Sequence, residues 1–136
     1  MMKVEHIGIA VKSLKDSIPL FEKLLNGECY KTEFVEREGV NTAFFRQGET
    51  KIELLEATRD DSAIAKFIAK KGEGMHHVAF ETENIILEME RLSGLGFELL
   101  SDAPKAGADN KIICFLHPKT TGGLLVELCQ ENKMEG

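Results

Sequence analysis

Apolar and polar positions alternate along two similar stretches of the chain. Between residues 4 and 11, and again between residues 76 and 81, apolar side chains recur at about every second position, the period of a half-buried strand. After the first stretch the period changes, and residues 14–25 carry Leu, Ile and Phe at helical spacing. The pattern therefore predicts a strand followed by a helix, with the same beginning used a second time in the middle of the chain.

Three more strand-like segments complete the first half. Ser13, with Asp16 three residues later, resembles a capping box that starts the helix, and Gly27 is typical of its end. Pro19 lies inside the helical pattern and removes one hydrogen bond, so the helix either begins near Asp16 or is kinked. Strands are then expected at residues 29–36, 40–46 and 51–56, with glycines between them.

A connector helix, starting at residues 60–62 and ending at Gly72, joins the halves. The second half repeats the first, with a strand at 76–81, a helix capped by Asn84, and strands at 97–101, 111–117 and 123–129. Each half is thus β-α-β-β-β. We expect one α+β domain over residues 1–136, in which module one spans about 3–58, the connector about 60–73 and module two about 75–130.

Composition and charge exclude several classes of function. The formal net charge of −6 argues against a nucleic-acid partner, which would require a basic surface. The sequence contains no run of about 20 apolar residues, which is the length needed to cross a membrane. Its first residues do not resemble a signal peptide. The 3 cysteines are scattered and odd in number, so we expect a reducing, cytoplasmic location and no disulfide framework.

Each half carries a histidine on its first strand. Residues two apart in a strand share a face, so His6 lies beside Gly8, while the apolar neighbours point toward the helix. By the same argument His77 lies beside Ala79, whereas His76 points to the other side and is expected to be a surface or supporting group. A histidine on the less apolar face, followed by a small residue, suggests a site with room for a ligand.

Each half also carries a glutamate in the middle of an apolar strand, Glu53 and Glu127. A buried carboxylate is costly without a partner, and a buried ion pair or a solvent-facing position would explain either residue alone. One cation bound by His6, Glu53, His77 and Glu127 would explain all four. Nitrogen and oxygen donors without thiolate suit Co, Ni, Mn, Zn or Fe(II).

This duplicated plan, with its His, Glu, His, Glu order, resembles the vicinal oxygen chelate superfamily, which includes glyoxalase I, methylmalonyl-CoA epimerases, extradiol dioxygenases and antibiotic-resistance proteins. The resemblance covers residues 3–130. It is closest to the methylmalonyl-CoA epimerase family, in the phrases TKIELLE (50–56), GMHHVAF (74–80), FLHPK (115–119) and GGLLVEL (122–128). The last two phrases are the most specific, because glyoxalase I shares the ligand pattern.

The resemblance implies a glyoxalase-like fold, in which the eight strands form an incomplete barrel. It implies that His6, Glu53, His77 and Glu127 bind a divalent ion, with Co expected and Ni, Zn or Mn as alternatives. Some epimerases have Gln where Glu53 stands, so this set is closer to that of glyoxalase. Some also have a separate glutamate, proposed as a base, on the strand after Gly39, but here that stretch reads GVNTAF and contains no carboxylate.

The implied reaction is epimerisation at C2 of methylmalonyl-CoA through a metal-stabilised enolate. Because the separate carboxylate is missing, Glu127 and Glu53 are the candidate catalytic bases, one for each face of C2. Coenzyme A carries phosphates, so Lys105 and Lys119 are candidate substrate contacts, although both could be solvated surface lysines. His117 could donate a hydrogen bond to the substrate, or could be a loop residue fixed by the following proline.

Two other functions stay open. Glyoxalase I (lactoylglutathione lyase) also moves a proton at a metal centre, but it acts on a glutathione hemithioacetal. A resistance-type protein would bind a small molecule without converting it. Because dimers are common in the superfamily, we expect a homodimer that acts on a small-molecule acyl-CoA, with neither nucleic acid nor membrane as a partner.

Overall fold

The structure is a computed structural model that describes residues 2–132. These residues form two compact units, one of residues 6–76 and one of residues 2–5 together with 77–132. The prediction of a single domain stays a prediction. The strands are β1 (Lys3–Ala10), β2 (Lys31–Val35), β3 (Val40–Gln47), β4 (Thr50–Ala57), β5 (Gly74–Glu81), β6 (Lys105–Ala106), β7 (Lys111–Leu116) and β8 (Val126–Glu131), and the helices are α1 (Leu14–Leu25), α2 (Ala63–Lys71) and α3 (Ile85–Gly94).

In the unit of residues 6–76 the strand order is β2-β3-β4-β1. Strands β1 and β4 are parallel, and the other pairs are antiparallel. Helix α1 packs on one face, where Phe21 meets Phe45 and Leu54. Helix α2 covers one end of the opposite face, where Ile64 meets Leu55. Side chains alternate along a strand. Ile52 therefore points toward α1, and Leu55 points toward the face that α2 covers.

In the unit of residues 77–132 the strand order is β5-β8-β7-β6. Strands β5 and β8 are parallel, and β8, β7 and β6 are antiparallel. Helix α3 packs on one face through Ile85, Met89 and Leu92, against Leu116 and Leu128. The residues that alternate with Leu128 therefore point to the other face of β8. The strand arrangement of this unit repeats that of the first.

The helices begin close to the predicted positions. Ser13 accepts a hydrogen bond from the Asp16 N–H at 3.3 Å, and α1 starts at Leu14 with Pro19 inside it, so a later start at Asp16 is wrong. Asn26, with φ of 53°, takes the left-handed end position instead of Gly27. In residues 2–132 no helix combines the length and apolar character needed to cross a bilayer.

The strand predicted at residues 97–101 is wrong. Only Leu99 bridges to β7, at Leu116, and the strand beside β7 is the two-residue β6. Phe97 and Leu99 pack against the core under α3, so their apolar character reflects core packing. Two backbone hydrogen bonds join the segment to the end of β7, from the Leu100 N–H to the Phe115 carbonyl at 2.8 Å and from the His117 N–H to the Glu98 carbonyl at 2.7 Å, but they do not continue as a regular ladder.

We predict that Asn84→Ala lowers the free energy of unfolding by about 1 kcal/mol. The Asn84 side chain accepts a hydrogen bond from the Leu87 N–H at 3.1 Å and so satisfies one donor in the first turn of α3. Urea denaturation followed by circular dichroism measures the change. Asn84→Asp keeps the acceptor and should stay within about 0.5 kcal/mol of the parent protein; equal losses in both variants would contradict the capping role.

Candidate metal centre

The first unit holds a buried pair formed by His6 and Glu53. The His6 Nε2 lies 3.3 Å from the Glu53 Oε1, and their side chains are 8% and 4% exposed. The register explains the contact: Glu53 lies opposite Gly8 on the parallel strand β1, and His6 is two residues before Gly8. His6 and Glu53 are therefore diagonal neighbours on one face of the sheet.

The second unit builds the same pair from His77 and Glu127. The His77 Nε2 lies 3.3 Å from the Glu127 Oε1, with side chains 5% and 6% exposed. Glu127 lies opposite Ala79 on the parallel strand β5, and His77 is two residues before Ala79. Both units thus place the histidine and the glutamate on either side of a small residue, as the sequence repeat predicts.

An aromatic residue lies on the other side of each glutamate. Phe44 is opposite Glu53 on β3, and Phe115 is opposite Glu127 on β7. The Phe115 ring meets the His77 ring at 5.7 Å between centroids, with 87° between their planes. This edge contact restrains the imidazole and excludes water from one of its sides. Sequence reasoning missed both aromatic residues, because cross-strand register is not visible in one strand alone.

The donor distances within each pair fit a metal ion. A charge-assisted N–H···O bond is usually 2.7–2.9 Å long, whereas both His–Glu distances are 3.3 Å. Two donors that each lie about 2.1 Å from one ion, at an angle between roughly 90 and 109°, are separated by about 3.0–3.4 Å. Each pair is therefore spaced as two ligands of one ion would be.

The chemistry of the donors fits as well. His6 in the first unit, and His77 and Glu127 in the second, are buried, and their imidazole and carboxylate groups are of the kinds that bind a divalent ion. Glu53 in the first unit is also buried, 3% exposed, and pairs with His6. Imidazole and carboxylate donors suit Zn, Co, Ni, Mn or Fe(II).

His76 lies apart from the His77–Glu127 pair. Its ring packs on Phe67, with 5.0 Å between centroids and 85° between planes. Burial lowers the pKa of His76 to about 4, so the imidazole is neutral near pH 7 and packs as a largely apolar ring. His76 is therefore a packing residue, and the role of His77 as a ligand stays a prediction.

The residues predicted to contact substrate lie in the second unit. His117 directly follows β7, and its Nδ1 accepts a hydrogen bond from the Lys119 N–H at 3.1 Å, which caps a short 3-10 turn at Pro118–Thr120. Lys119 Nζ lies 3.1 Å from Glu98 Oε1 at an exposed position. Lys105 is exposed on β6. The turn accounts for the conformation of His117, and contact of these three residues with substrate stays a prediction.

A thiol shares the face that carries Glu127. Cys129, two residues further along β8, is fully buried, and burial raises the pKa of its thiol, with the nearby Glu127, Glu5 and Glu81 carboxylates adding to the effect. Cys129 packs in a buried cluster with Ala79 and Ile113.

The model of the glyoxalase/bleomycin resistance protein/dioxygenase superfamily matches residues 5–115. The chain therefore belongs to this superfamily, as the sequence resemblance predicts.

Three relatives within the superfamily belong to a narrower group, the methylmalonyl-CoA epimerases. The ethylmalonyl-CoA/methylmalonyl-CoA epimerase of Cereibacter sphaeroides is 37% identical, over 94% of this chain and 97% of its own length. A variant of Streptomyces coelicolor methylmalonyl-CoA epimerase, solved with 2-nitronate-propionyl-CoA, is 34% identical and superposes with a TM-score of 0.91 over 98% of this chain and 96% of its own. A methylmalonyl-CoA epimerase solved with methylmalonyl-CoA and NH4+ matches equally well, with 34% identity, the same coverage and a TM-score of 0.91. These matches confirm the predicted α+β, glyoxalase-like fold.

We predict that a thiol reagent such as DTNB distinguishes the cysteines of the native protein. Cys29 is partly exposed, whereas Cys114 and Cys129 are buried, so about one thiol should react quickly and the other two only after denaturation. Cys29→Ser should abolish the fast phase. Rapid reaction of Cys129 in the native protein would contradict its burial and would reopen thiolate ligation.

Proposed function

We propose that this chain is a metal-dependent epimerase that interconverts the R and S forms of methylmalonyl-CoA at C2. The observation that carries the proposal is the buried His–Glu pair that each unit presents at equivalent positions. Its substrate is supported by the epimerase relatives, which align over almost the whole chain. Their names describe an isomerase that acts on acyl-CoA thioesters.

His6, Glu53, His77 and Glu127 are the residues that would hold the ion, which we expect to be Co, with Ni, Zn or Mn as alternatives. When bound, a divalent ion supplies Lewis-acid stabilisation of the negative charge that develops on the thioester oxygen. The buried surroundings strengthen this electrostatic effect because the effective dielectric constant is low.

Glu127 and Glu53 are the proposed bases. Epimerisation removes the C2 proton on one face and returns a proton on the other, so it requires two proton-transfer groups or one that moves. Strand β3 supplies no carboxylate, and its Thr42 is fully buried and donates its hydroxyl to the Glu33 carbonyl at 2.9 Å. The equivalent positions of Glu53 and Glu127 in the two units support assigning one to each face.

Three further residues are candidates for contacts with the acyl-CoA away from C2. We propose His117, Lys119 and Lys105 as contacts to the acyl-CoA, because they follow or flank β7 next to Phe115. We also propose a cytoplasmic homodimer as the active form. Light scattering of the purified protein tests its mass, and a monomer at working concentrations would remove this part of the proposal.

Glyoxalase I is the second candidate, and one residue favours it. Some epimerases have Gln where Glu53 stands. With Glu53, the proposed ligands are two histidines and two glutamates, and this set resembles that of glyoxalase. The two activities separate cleanly by assay. The metal-loaded protein is given methylmalonyl-CoA in D2O, with exchange at C2 followed by mass spectrometry, and is given methylglyoxal with glutathione in parallel. Turnover of the hemithioacetal without C2 exchange would replace the epimerase proposal with the glyoxalase one.

We predict that Glu53→Gln and Glu127→Gln each lower kcat for epimerisation by about 10²- to 10⁴-fold, the usual contribution of a general acid–base group. The measurements are the epimerisation rate and the C2 exchange rate, together with metal content, because an amide also weakens ligation. The exposed Glu90 on α3 provides a control, and Glu90→Gln should leave both rates unchanged.

Two results would contradict the assignment of bases. A Glu53→Gln protein that keeps its metal and its full epimerisation rate would remove Glu53 from proton transfer. A parent protein that binds no divalent ion, and gives no visible spectrum with Co(II), would instead favour a binding function without metal chemistry.

A further inference from the structure

Three basic side chains share a face of the first unit with His6 and Glu53. Phe44 lies opposite both Glu53 and Lys31, and directly opposite residues of neighbouring strands point to the same side. Lys31, Phe44 and Glu53 therefore form one row across three strands. Helix α1 packs on the other face, so this row does not belong to the core beneath α1.

The neighbouring row on the same face adds two more cations. Arg46 lies opposite Lys51, and Lys51 lies opposite His6 on β1. Adjacent strands are about 4.8 Å apart, so the backbone of Lys51 is one strand away from that of a proposed metal ligand. Arg46 is one strand further. The order across this row is thus histidine, lysine, arginine.

Aromatic rings hold two of these cations in place. The Arg46 guanidinium carbon lies 4.4 Å from the centre of the Tyr30 ring, and Lys31 Nζ lies 5.5 Å from the centre of the Phe44 ring. The two rings are 6.3 Å apart. Stacking on a ring orders a guanidinium while its N–H donors at the edge stay able to bind an oxyanion.

The positions of the charges favour an anion here. Arg46 and Lys51 are like charges directly opposite one another, which destabilises a sheet, and a bound anion would offset that repulsion. Lys31 Nζ lies 3.5 Å from Glu33 Oε1. The chain as a whole carries a net charge of −6, so an anionic substrate needs a local basic site of this kind.

We propose that Arg46 and Lys51, with Lys31 beside them, bind an anionic group of the acyl-CoA substrate next to His6 and Glu53. The group is an oxyanion, either the free carboxylate of the acyl part or a phosphate of coenzyme A. Arg46 is suited to bidentate binding and Lys51 to a point contact. This inference rests on the proposed epimerase function and adds substrate-positioning residues to it.

The test compares the double variant Arg46→Gln/Lys51→Gln with Lys15→Gln/Lys23→Gln, which removes two exposed positive charges from α1 on the opposite face. Binding of methylmalonyl-CoA, propionyl-CoA and methylmalonyl-pantetheine is measured by calorimetry, and epimerisation kinetics are measured in parallel. We expect the first variant to weaken methylmalonyl-CoA binding about tenfold or more, equivalent to about 1.4 kcal/mol. We also expect a reduced salt dependence of that binding, while the α1 control stays at the parent values.

The other two ligands identify the anion. If the acyl carboxylate is bound, propionyl-CoA, which lacks that carboxylate, should bind parent and variant equally. If a phosphate of coenzyme A is bound, methylmalonyl-pantetheine, which lacks the phosphates, should bind parent and variant equally. Circular dichroism and urea denaturation establish that the variant is folded. Unchanged binding and KM for methylmalonyl-CoA in a folded double variant would overturn the inference and leave the epimerase proposal intact. Parent protein that binds acyl-CoA through these residues without epimerising it would overturn only the proposed function.

Discussion

The cost of burying carboxylates constrains both halves of this protein. Glu53 and Glu127 lie in the middle of apolar strands, 3% and 5% exposed, where an isolated negative charge would be strongly destabilising. Each lies 3.3 Å from a histidine nitrogen. A divalent cation bound by these residues would balance the negative charges of the carboxylates.

Sheet register converts this constraint into a repeated geometry. In each unit a parallel pair of strands sets the glutamate opposite a small residue, and the histidine is two residues earlier on the same strand. The helix on the far face takes the alternate apolar residues, which fixes the direction of both polar side chains. Basic residues share a face with the glutamate in both units. The first carries Lys31, Arg46 and Lys51 on the face of Glu53, and the second carries Lys105 and Lys111 on the face of Glu127.

Strand periodicity was sufficient to predict most of the fold and the four candidate ligands. The alternation of faces distinguished His77 from His76, and the matching glutamates followed from the repeat. Periodicity gave a wrong strand at residues 97–101. Phe97 and Leu99 are apolar because they pack under α3, and the pattern of a single segment does not distinguish such packing from sheet pairing. It also missed Arg46 and Lys51. Their relation to His6 depends on the register between three strands, which is set by tertiary packing.

The stoichiometry of metal binding tests the central claim most directly. If the two His–Glu pairs act together as ligands of one ion, the protein loaded with Co(II) should contain one ion per chain by elemental analysis, and His6→Ala or His77→Ala alone should each abolish tight binding. X-ray absorption at the cobalt edge should show only nitrogen and oxygen neighbours. Two ions per chain, with each histidine variant retaining one of them, would contradict a shared site, and so would a parent protein that binds none.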